Sequence, residues 1–101
     1  MNMTGKARAA LRSEAHHLNV QVHVGHAGLT DTLLASFDDV LRTHELVKAQ
    51  VAKGSEQPAK VVANDVAARL GAEVVQTIGR TFTVYRHNPA LPKGELPPWR
   101  R

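Results

Sequence analysis

The chain has 101 residues, a net charge of +4 and no cysteine. This length supports one domain with a modest core, and we expect no second, catalytic domain. The missing cysteines exclude disulfide frameworks, thiolate nucleophiles and cysteine-based zinc sites. The positive charge favours a polyanionic partner, but it is divided: residues 87–101 contribute +2 and residues 1–86 contribute the other +2.

The hydrophobic pattern excludes a membrane protein. No stretch approaches about 18 uninterrupted apolar residues, and the first residues lack the apolar run of a signal peptide. We therefore expect a soluble, non-exported protein, and the lack of cysteine favours the cytoplasm. Because aromatic residues make up only 4% of the chain, we expect a core of Val, Leu and Ala with Phe37 and Phe82 as its largest side chains.

The first two elements follow from hydrophobic spacing. Apolar residues that include Leu11 and Ala15 recur at helical intervals, so residues 5–17 are predicted to form a helix, with Thr4 as a possible N-cap. Residues 20–24 read Val-Gln-Val-His-Val, and this strict alternation predicts a strand with one buried face.

A glycine loop over residues 25–28 ends this strand. A broad apolar stripe then predicts a second helix, which starts between Leu29 and Asp31 and ends near Thr43. The strand therefore runs into a helix through the loop, an arrangement that leaves the first amide N–H groups of the helix close to the glycines.

The middle of the chain predicts a strand and a third helix. Residues 45–51 alternate, with Lys48 on the face away from the valines. Ser55 as N-cap and Pro58 in the first turn then open a helix that ends at Gly71.

Two β-rich runs complete the predicted domain. Residues 72–78 and 81–86 are separated by Gly79-Arg80, which predicts a tight antiparallel hairpin. Four of the five prolines follow it. We therefore expect a domain over residues 1–88 and a flexible, proline-rich tail over residues 89–101.

The predicted fold class is α/β, with a four-stranded mixed sheet packed with three helices in the order α-β-α-β-α-β-β. Right-handed crossovers would place the loops that follow the first two strands at the same end of the sheet. No nucleotide-binding fingerprint accompanies this pattern.

The Gly25-His26-Ala27-Gly28 loop is the strongest candidate for a binding site. Two glycines allow a ligand to approach the backbone closely, and a GxxG loop clamps RNA backbone in KH-type modules. Taken alone, the pattern also fits a simple strand-to-helix turn. A positive track beyond the loop would consist of Lys6, Arg8, Arg12, Lys48, Arg80 and Arg86.

The remaining polar residues do not indicate catalysis or a metal site. The spacing of the six histidines argues against a metal site: His16 and His17 are adjacent and point apart, and His23 and His26 have no nearby carboxylate that would orient a ring. Asp38 and Asp39 are helix neighbours that diverge, and we expect both to face solvent. Tyr85 has the chemistry to stack on a base, although a half-buried tyrosine is the more ordinary interpretation. We therefore expect no enzyme activity, cofactor or small-molecule substrate.

Four blocks of the sequence occur in an order that is familiar from a known family. They are Thr4-Gly5-Lys6-x-Arg8-x-x-Leu11-Arg12-x-x-Ala15-His16, Val22-x-Val24-Gly25-x-x-Gly28-Leu29-Thr30, His44-Glu45-Leu46-Val47-Lys48, and Gly79-Arg80-Thr81-x-x-x-Tyr85-Arg86. The chain thereby resembles the CRM (chloroplast RNA splicing and ribosome maturation) domain, in its stand-alone bacterial YhbY-like form, from about Thr4 to Pro89.

The resemblance implies an RNA-binding domain without enzymatic activity, similar in topology to the C-terminal domain of bacterial initiation factor three. For a single bacterial domain it also implies association with precursors of the large ribosomal subunit. The chain departs from the family pattern at His26, where the loop usually has lysine, and at Ala9 and Ala10, where the family commonly has a basic residue and an aromatic one. We therefore expect the loop to act mainly through its backbone.

Our leading hypothesis from the sequence is a monomeric protein that binds RNA, in particular large-subunit rRNA, with weak sequence readout. The alternative is a protein-interaction module that docks through a sheet edge or through the proline-rich tail.

Overall fold

Seven elements follow one another in the predicted order in the computed structural model, which describes residues 5–88. They are α1 (Gly5–His17), β1 (Val22–Val24), α2 (Asp31–His44), β2 (Leu46–Val51), α3 (Ala59–Leu70), β3 (Glu73–Ile78) and β4 (Thr81–Tyr85). The fold class is therefore confirmed as α/β with three helices and a four-stranded mixed sheet. The predicted Thr4 cap and the tail over residues 89–101 lie outside the described residues.

The sheet has the strand order β1-β2-β4-β3, in which β1 and β2 are parallel and the other pairs are antiparallel. Val24 lies opposite Val51, and Gln50 lies opposite Thr81. The ends of β1 and β2 and the start of β4 therefore meet at one end of the sheet, as the crossover rule predicts. We call this the loop end, defined by residues 25–28, 52–54 and 79–80.

Backbone hydrogen bonds hold the loop end together. The Ala52 N–H donates to the Val24 carbonyl at 2.8 Å, and the Val51 N–H donates to the Arg80 carbonyl at 2.7 Å. The three connections that leave this end are therefore fixed relative to one another.

One face of the sheet packs against α2 and α3. The alternating residues Val47, Ala49 and Val51 of β2 point into this core. The largest side chains of this core are Phe37 and Phe82, as predicted, and their rings stack with centroids 5.9 Å apart. Their contact joins α2, which follows the glycine loop, to β4, which follows Arg80.

The other face is covered by α1. Leu11 packs there with Leu46, Val75 and Tyr85 in a second, smaller cluster. Tyr85 is almost fully buried, so the structure corrects both ideas offered for it: it is neither half-buried nor available to stack on a base.

Several element boundaries differ from the predictions for local reasons. Strand β1 begins at Val22 rather than residue 20: the Gln21 N–H still donates to the Lys48 carbonyl at 2.8 Å, but the Lys48 N–H donates to the Gln21 side-chain carbonyl at 3.2 Å and not to the backbone. Helix α2 begins at Asp31, and Thr30 is its N-cap, accepting from the Leu33 N–H at 3.1 Å. The helix therefore starts later than Leu29, which separates its first turn from the glycine loop.

The predicted N-cap of α3 is wrong. Pro58 occupies the cap position, while the Ser55 hydroxyl accepts from the Gln57 N–H at 3.4 Å in the preceding turn. Proline is suited to a helix start because its φ is fixed and the first N–H groups of a helix have no internal partner. Gly71 ends α3 in the left-handed conformation, as predicted.

Glu45 closes the opposite end of the sheet in a way that the sequence did not indicate. It is the C-cap of α2 and is fully buried. Its φ of 66° is a backbone conformation that residues other than glycine rarely adopt. Its carbonyl accepts from the Arg86 N–H at 2.9 Å, and its carboxylate accepts from the Asn88 N–H at 2.6 Å. Glu45 therefore fastens the last described residues to α2.

Candidate nucleic-acid interface

The two glycines of the 25–28 loop have different roles. The Gly28 N–H donates to the Gly25 carbonyl at 3.0 Å and closes the turn, and Gly28 has φ of 75°, which favours glycine. Gly25 has no such requirement, and a Cβ added to it would meet nothing within 4 Å. Gly25 is therefore the open position of the loop, where another molecule can approach the backbone.

The turn after β2 lies against the glycine loop. A Cβ on Gly54 would lie 3.6 Å from His26 Cε1, so the His26 ring packs over this turn. The same turn carries Lys53, which is exposed. Lys53 did not appear among the predicted site residues, although the crossover rule, applied to the turn after β2, would have placed it here.

A surface cavity of about 360 Å³ opens on the sheet side of the loop. Its wall includes Gly25, Lys53 and Arg80, and neither cation has an ion-pair partner within residues 5–88. The full set of lining residues is His23, Val24, Gly25, Gln50, Val51, Ala52, Lys53 and Arg80. No carboxylate is among them, so the cavity is suited to a negatively charged ligand.

A second cavity of about 340 Å³ lies on the helix side of the loop, and its charge is different. Its wall contains Glu56, Asp65 and Arg69. Arg69 is paired with Asp65 at 2.9 Å, and this hydrogen bond together with the charge of Asp65 raises the pKa of the guanidinium. Because its one guanidinium is already paired with a carboxylate, this side offers a phosphate little attraction.

The basic residues of α1 divide into two kinds. Lys6 and Arg12 are exposed and make no ion pair within residues 5–88. Arg8 instead donates to the Val74 carbonyl at 3.0 Å and lies 3.7 Å from the Glu73 carboxylate. Arg8 therefore fastens α1 to β3, which leaves Lys6 and Arg12 as the free cations of this helix.

Two further predicted site residues hold the fold together. Lys48 donates to the Ala15 carbonyl at 3.1 Å and so caps the end of α1. Arg86 donates to Asp38 at 2.8 Å and to the Leu70 carbonyl at 3.1 Å, at the end of the sheet opposite the loop end. Asp38 thus pairs with Arg86 while its side chain stays 44% exposed, and Asp39 is exposed.

The structure thus brings together only part of the predicted site. Residues Gly25 to Gly28 and Arg80 meet at the loop end, and Lys53 joins them. Lys6 and Arg12 lie on the helix that covers the sheet face carrying His23 and Gln50. Arg86 lies at the other end of the sheet, away from this group.

Arg86→Ala is expected to lower the free energy of unfolding by about 2 kcal/mol, because Asp38 and the Leu70 carbonyl would lose a charged donor in a half-buried site. Urea unfolding followed by circular dichroism measures this loss. Arg42→Ala is the matched control: Arg42 pairs with Asp39 on the surface, its side chain is 60% exposed against 24% for Arg86, and we expect a change within about 0.5 kcal/mol. Equal losses in the two variants would contradict a structural role for Arg86.

The described residues do not provide a metal site or a membrane helix. Within residues 5–88, no group of three or more histidine and carboxylate side chains is placed to hold a metal ion. In the same range, every helix is too short or too polar to span a bilayer.

A small α/β domain with a glycine loop and free cations at one end of its sheet has the characteristics of a nucleic-acid-binding module. Comparison with known families identifies which one: residues 3–86 match the CRS1/YhbY (CRM) domain model, and the chain belongs to this family. The resemblance seen in the four sequence blocks is confirmed.

Individual relatives agree with this assignment. The chain is 34% identical over 95 residues to a Bacillus subtilis protein named probable RNA-binding protein YqeI, covering 94% of this chain and 99% of the relative. It is 36% identical over 84 residues to a Haemophilus influenzae protein named RNA-binding protein, covering 83% and 85%. The solution structure of a Staphylococcus aureus protein, described as a candidate RNA-binding protein, superposes with a TM-score of 0.72 at 29% identity, covering 95% of this chain and all of the other.

Proposed function

We propose that this protein binds RNA and that its target is the rRNA of precursor large ribosomal subunits, whose assembly it assists. The observation that carries RNA binding is the meeting of Gly25, Lys53 and Arg80 around a cavity without carboxylates. The names of the relatives support the same ligand class. The choice of large-subunit rRNA rests on the stand-alone form of the family, which the four sequence blocks resemble.

Binding would combine close approach with phosphate contacts. RNA backbone would approach Gly25, where no side chain intervenes, while Lys53 and Arg80 neutralise phosphates beside it. Lys6 and Arg12 would extend the attraction along α1. Phosphate contacts carry no sequence information, so we expect RNA shape to matter more than sequence. The protein would act as a cytoplasmic monomer.

Arg12→Ala is expected to reduce the slope of log affinity against log salt by roughly 1, because one phosphate contact and its released counterion are lost. The measurement is a salt titration against structured fragments of large-subunit rRNA. Arg42→Ala on α2, which removes the same charge far from the loop end, is the control and should leave the slope unchanged. An unchanged slope in Arg12→Ala would remove Arg12 from the RNA footprint. A wild-type protein that shows no salt-dependent binding to these fragments would refute the proposed target.

The protein-interaction alternative has one structural observation in its favour. Strand β3 is an edge strand, and its last residue, Ile78, is 53% exposed. This alternative predicts a protein that purifies without RNA. The ratio of absorbance at 260 and 280 nm, measured before and after a high-salt wash, separates the two: RNA that leaves only at high salt supports the proposed function.

A further inference from the structure

The two sides of the glycine loop offer an RNA strand different surroundings. On the sheet side, Lys53 and Arg80 are the only charged residues among those of residues 5–88 that line the 360 Å³ cavity. On the helix side, the second cavity is lined by Glu56, Asp65 and Arg69, and Arg69 is already paired with Asp65. The positive charges therefore attract a polyanion to the sheet side. The two glycines alone, as in a KH-type loop, would not favour one side of the loop over the other.

The floor of the sheet-side cavity carries two side chains that recognise nucleobases elsewhere. His23 on β1 and Gln50 on β2 are directly paired across the parallel strands and both line the cavity. His23 is exposed and Gln50 is half-buried, and neither side chain makes a hydrogen bond within residues 5–88. An imidazole stacks on a base, and a carboxamide offers both a donor and an acceptor to a base edge.

The position of the cations completes the site. Lys53 follows β2 by two residues and Arg80 precedes β4, so they stand at the rim of the cavity while His23 and Gln50 lie on the sheet below. A base held on the sheet would leave its phosphates at the rim, close to Gly25. The cavity volume of about 360 Å³ is at the lower end of the range found for small-ligand pockets, roughly 300–1,000 Å³.

We propose that this cavity holds the base of one unpaired nucleotide of the RNA, with His23 stacking on the base, Gln50 contacting its edge, and Lys53 and Arg80 binding the flanking phosphates. A base in a duplex is stacked and paired, so only a loop, bulge or single strand can supply it. This proposal rests on the proposed function and deepens it, because it states that an unpaired base of the RNA occupies the cavity on the sheet side of the glycine loop.

The test compares two synthetic strands that have the same phosphates and sugars. One is a fluorescein-labelled oligouridylate octamer, and the other is an abasic octamer of the same backbone. We expect the wild-type protein to bind the oligouridylate about tenfold more tightly than the abasic strand at low salt, a difference typical of one stacked base. His23→Ala and Gln50→Leu should each bring oligouridylate affinity close to that of the abasic strand.

Gln57→Leu is the matched control, because Gln57 lines the cavity on the helix side of the same loop. It should keep the wild-type preference for the strand with bases. Circular dichroism and thermal melting of each variant establish that the fold is retained, and His23, being exposed, gives an independent variant if Gln50→Leu unfolds the sheet.

Equal wild-type affinity for the two strands, with retained binding to structured rRNA, would overturn the nucleotide pocket and leave the proposed function standing. Loss of the base preference in Gln57→Leu but not in His23→Ala would overturn it as well, by moving the base to the helix side. If the wild-type protein bound neither the octamers nor the rRNA fragments, the proposed function itself would fail.

Discussion

Replacing Lys53 and Arg80 together with alanine is expected to weaken RNA binding about hundredfold and to reduce the salt slope by about two. Each cation stands at the rim of the sheet-side cavity without an ion-pair partner within residues 5–88, so both are available for phosphates. A hydrogen bond to a charged group contributes about 1.5 kcal/mol, and two of them give about 3 kcal/mol, or a hundredfold in affinity. The measurement is a binding titration against a large-subunit rRNA fragment at several salt concentrations.

The double variant Arg42→Ala, Lys60→Ala is its control. It removes one arginine from α2 and one lysine from α3, so the net charge changes by the same amount, and neither residue lines a cavity beside the glycine loop. If long-range attraction to the whole protein dominated, the two double variants would bind equally poorly. We expect the control variant to lose less than threefold in affinity, and an equal loss in both would refute a localised phosphate site at the loop end.

Hydrophobic periodicity was sufficient to predict the elements, because each helix and strand buries one stripe or one face. Residues 5–17 were predicted as a helix and form α1 with the same limits. The errors lie where a side chain competes for a backbone group, as at Gln21 before β1, or where proline takes over a helix start, as at Pro58. Such competition depends on which partner is in reach, and a single sequence does not show this.

The candidate site was predicted only in part, because a free cation and a structural cation look alike in sequence. Arg8 and Arg12 are four residues apart on one helix, yet Arg8 is tied to β3 and Arg12 is exposed. Arg86 is tied to Asp38, a residue 48 positions away. Contacts over such distances arise from the tertiary fold, which local spacing does not encode.

Glu45 illustrates the same limit for the fold. Its left-handed backbone conformation would ordinarily indicate glycine or asparagine, so no local rule marks residue 45 as the end of α2. The buried carboxylate compensates by accepting from the Asn88 N–H, which lies 43 residues further on. The presence of a glutamate at this position is therefore explained by its contact with Asn88, which is distant in sequence, and not by the residues next to it.

Phe37→Ala is expected to destabilise the domain by about 4 kcal/mol, which is the largest effect predicted for stability. The Phe37 ring is fully buried against Phe82, and its removal would leave a cavity between α2 and β4. Alanine is a better helix former than phenylalanine, so α2 itself would gain and the entire loss must come from packing. Urea unfolding followed by circular dichroism measures the loss against a total stability of about 5–15 kcal/mol.

Ile78→Ala provides the comparison, because it shortens a large apolar side chain that is 53% exposed at the sheet edge. We expect a change within about 0.5 kcal/mol there. Phe37 and Phe82 join α2, which follows the glycine loop, to β4, which follows Arg80. Only folded protein binds RNA in this account, so the apparent RNA affinity of Phe37→Ala should scale with its folded fraction. If Phe37→Ala lost about 4 kcal/mol of unfolding free energy but stayed mostly folded, near-normal RNA binding would agree with this account. A loss of unfolding free energy as small as that of Ile78→Ala would show that the stacked pair is not the centre of the core.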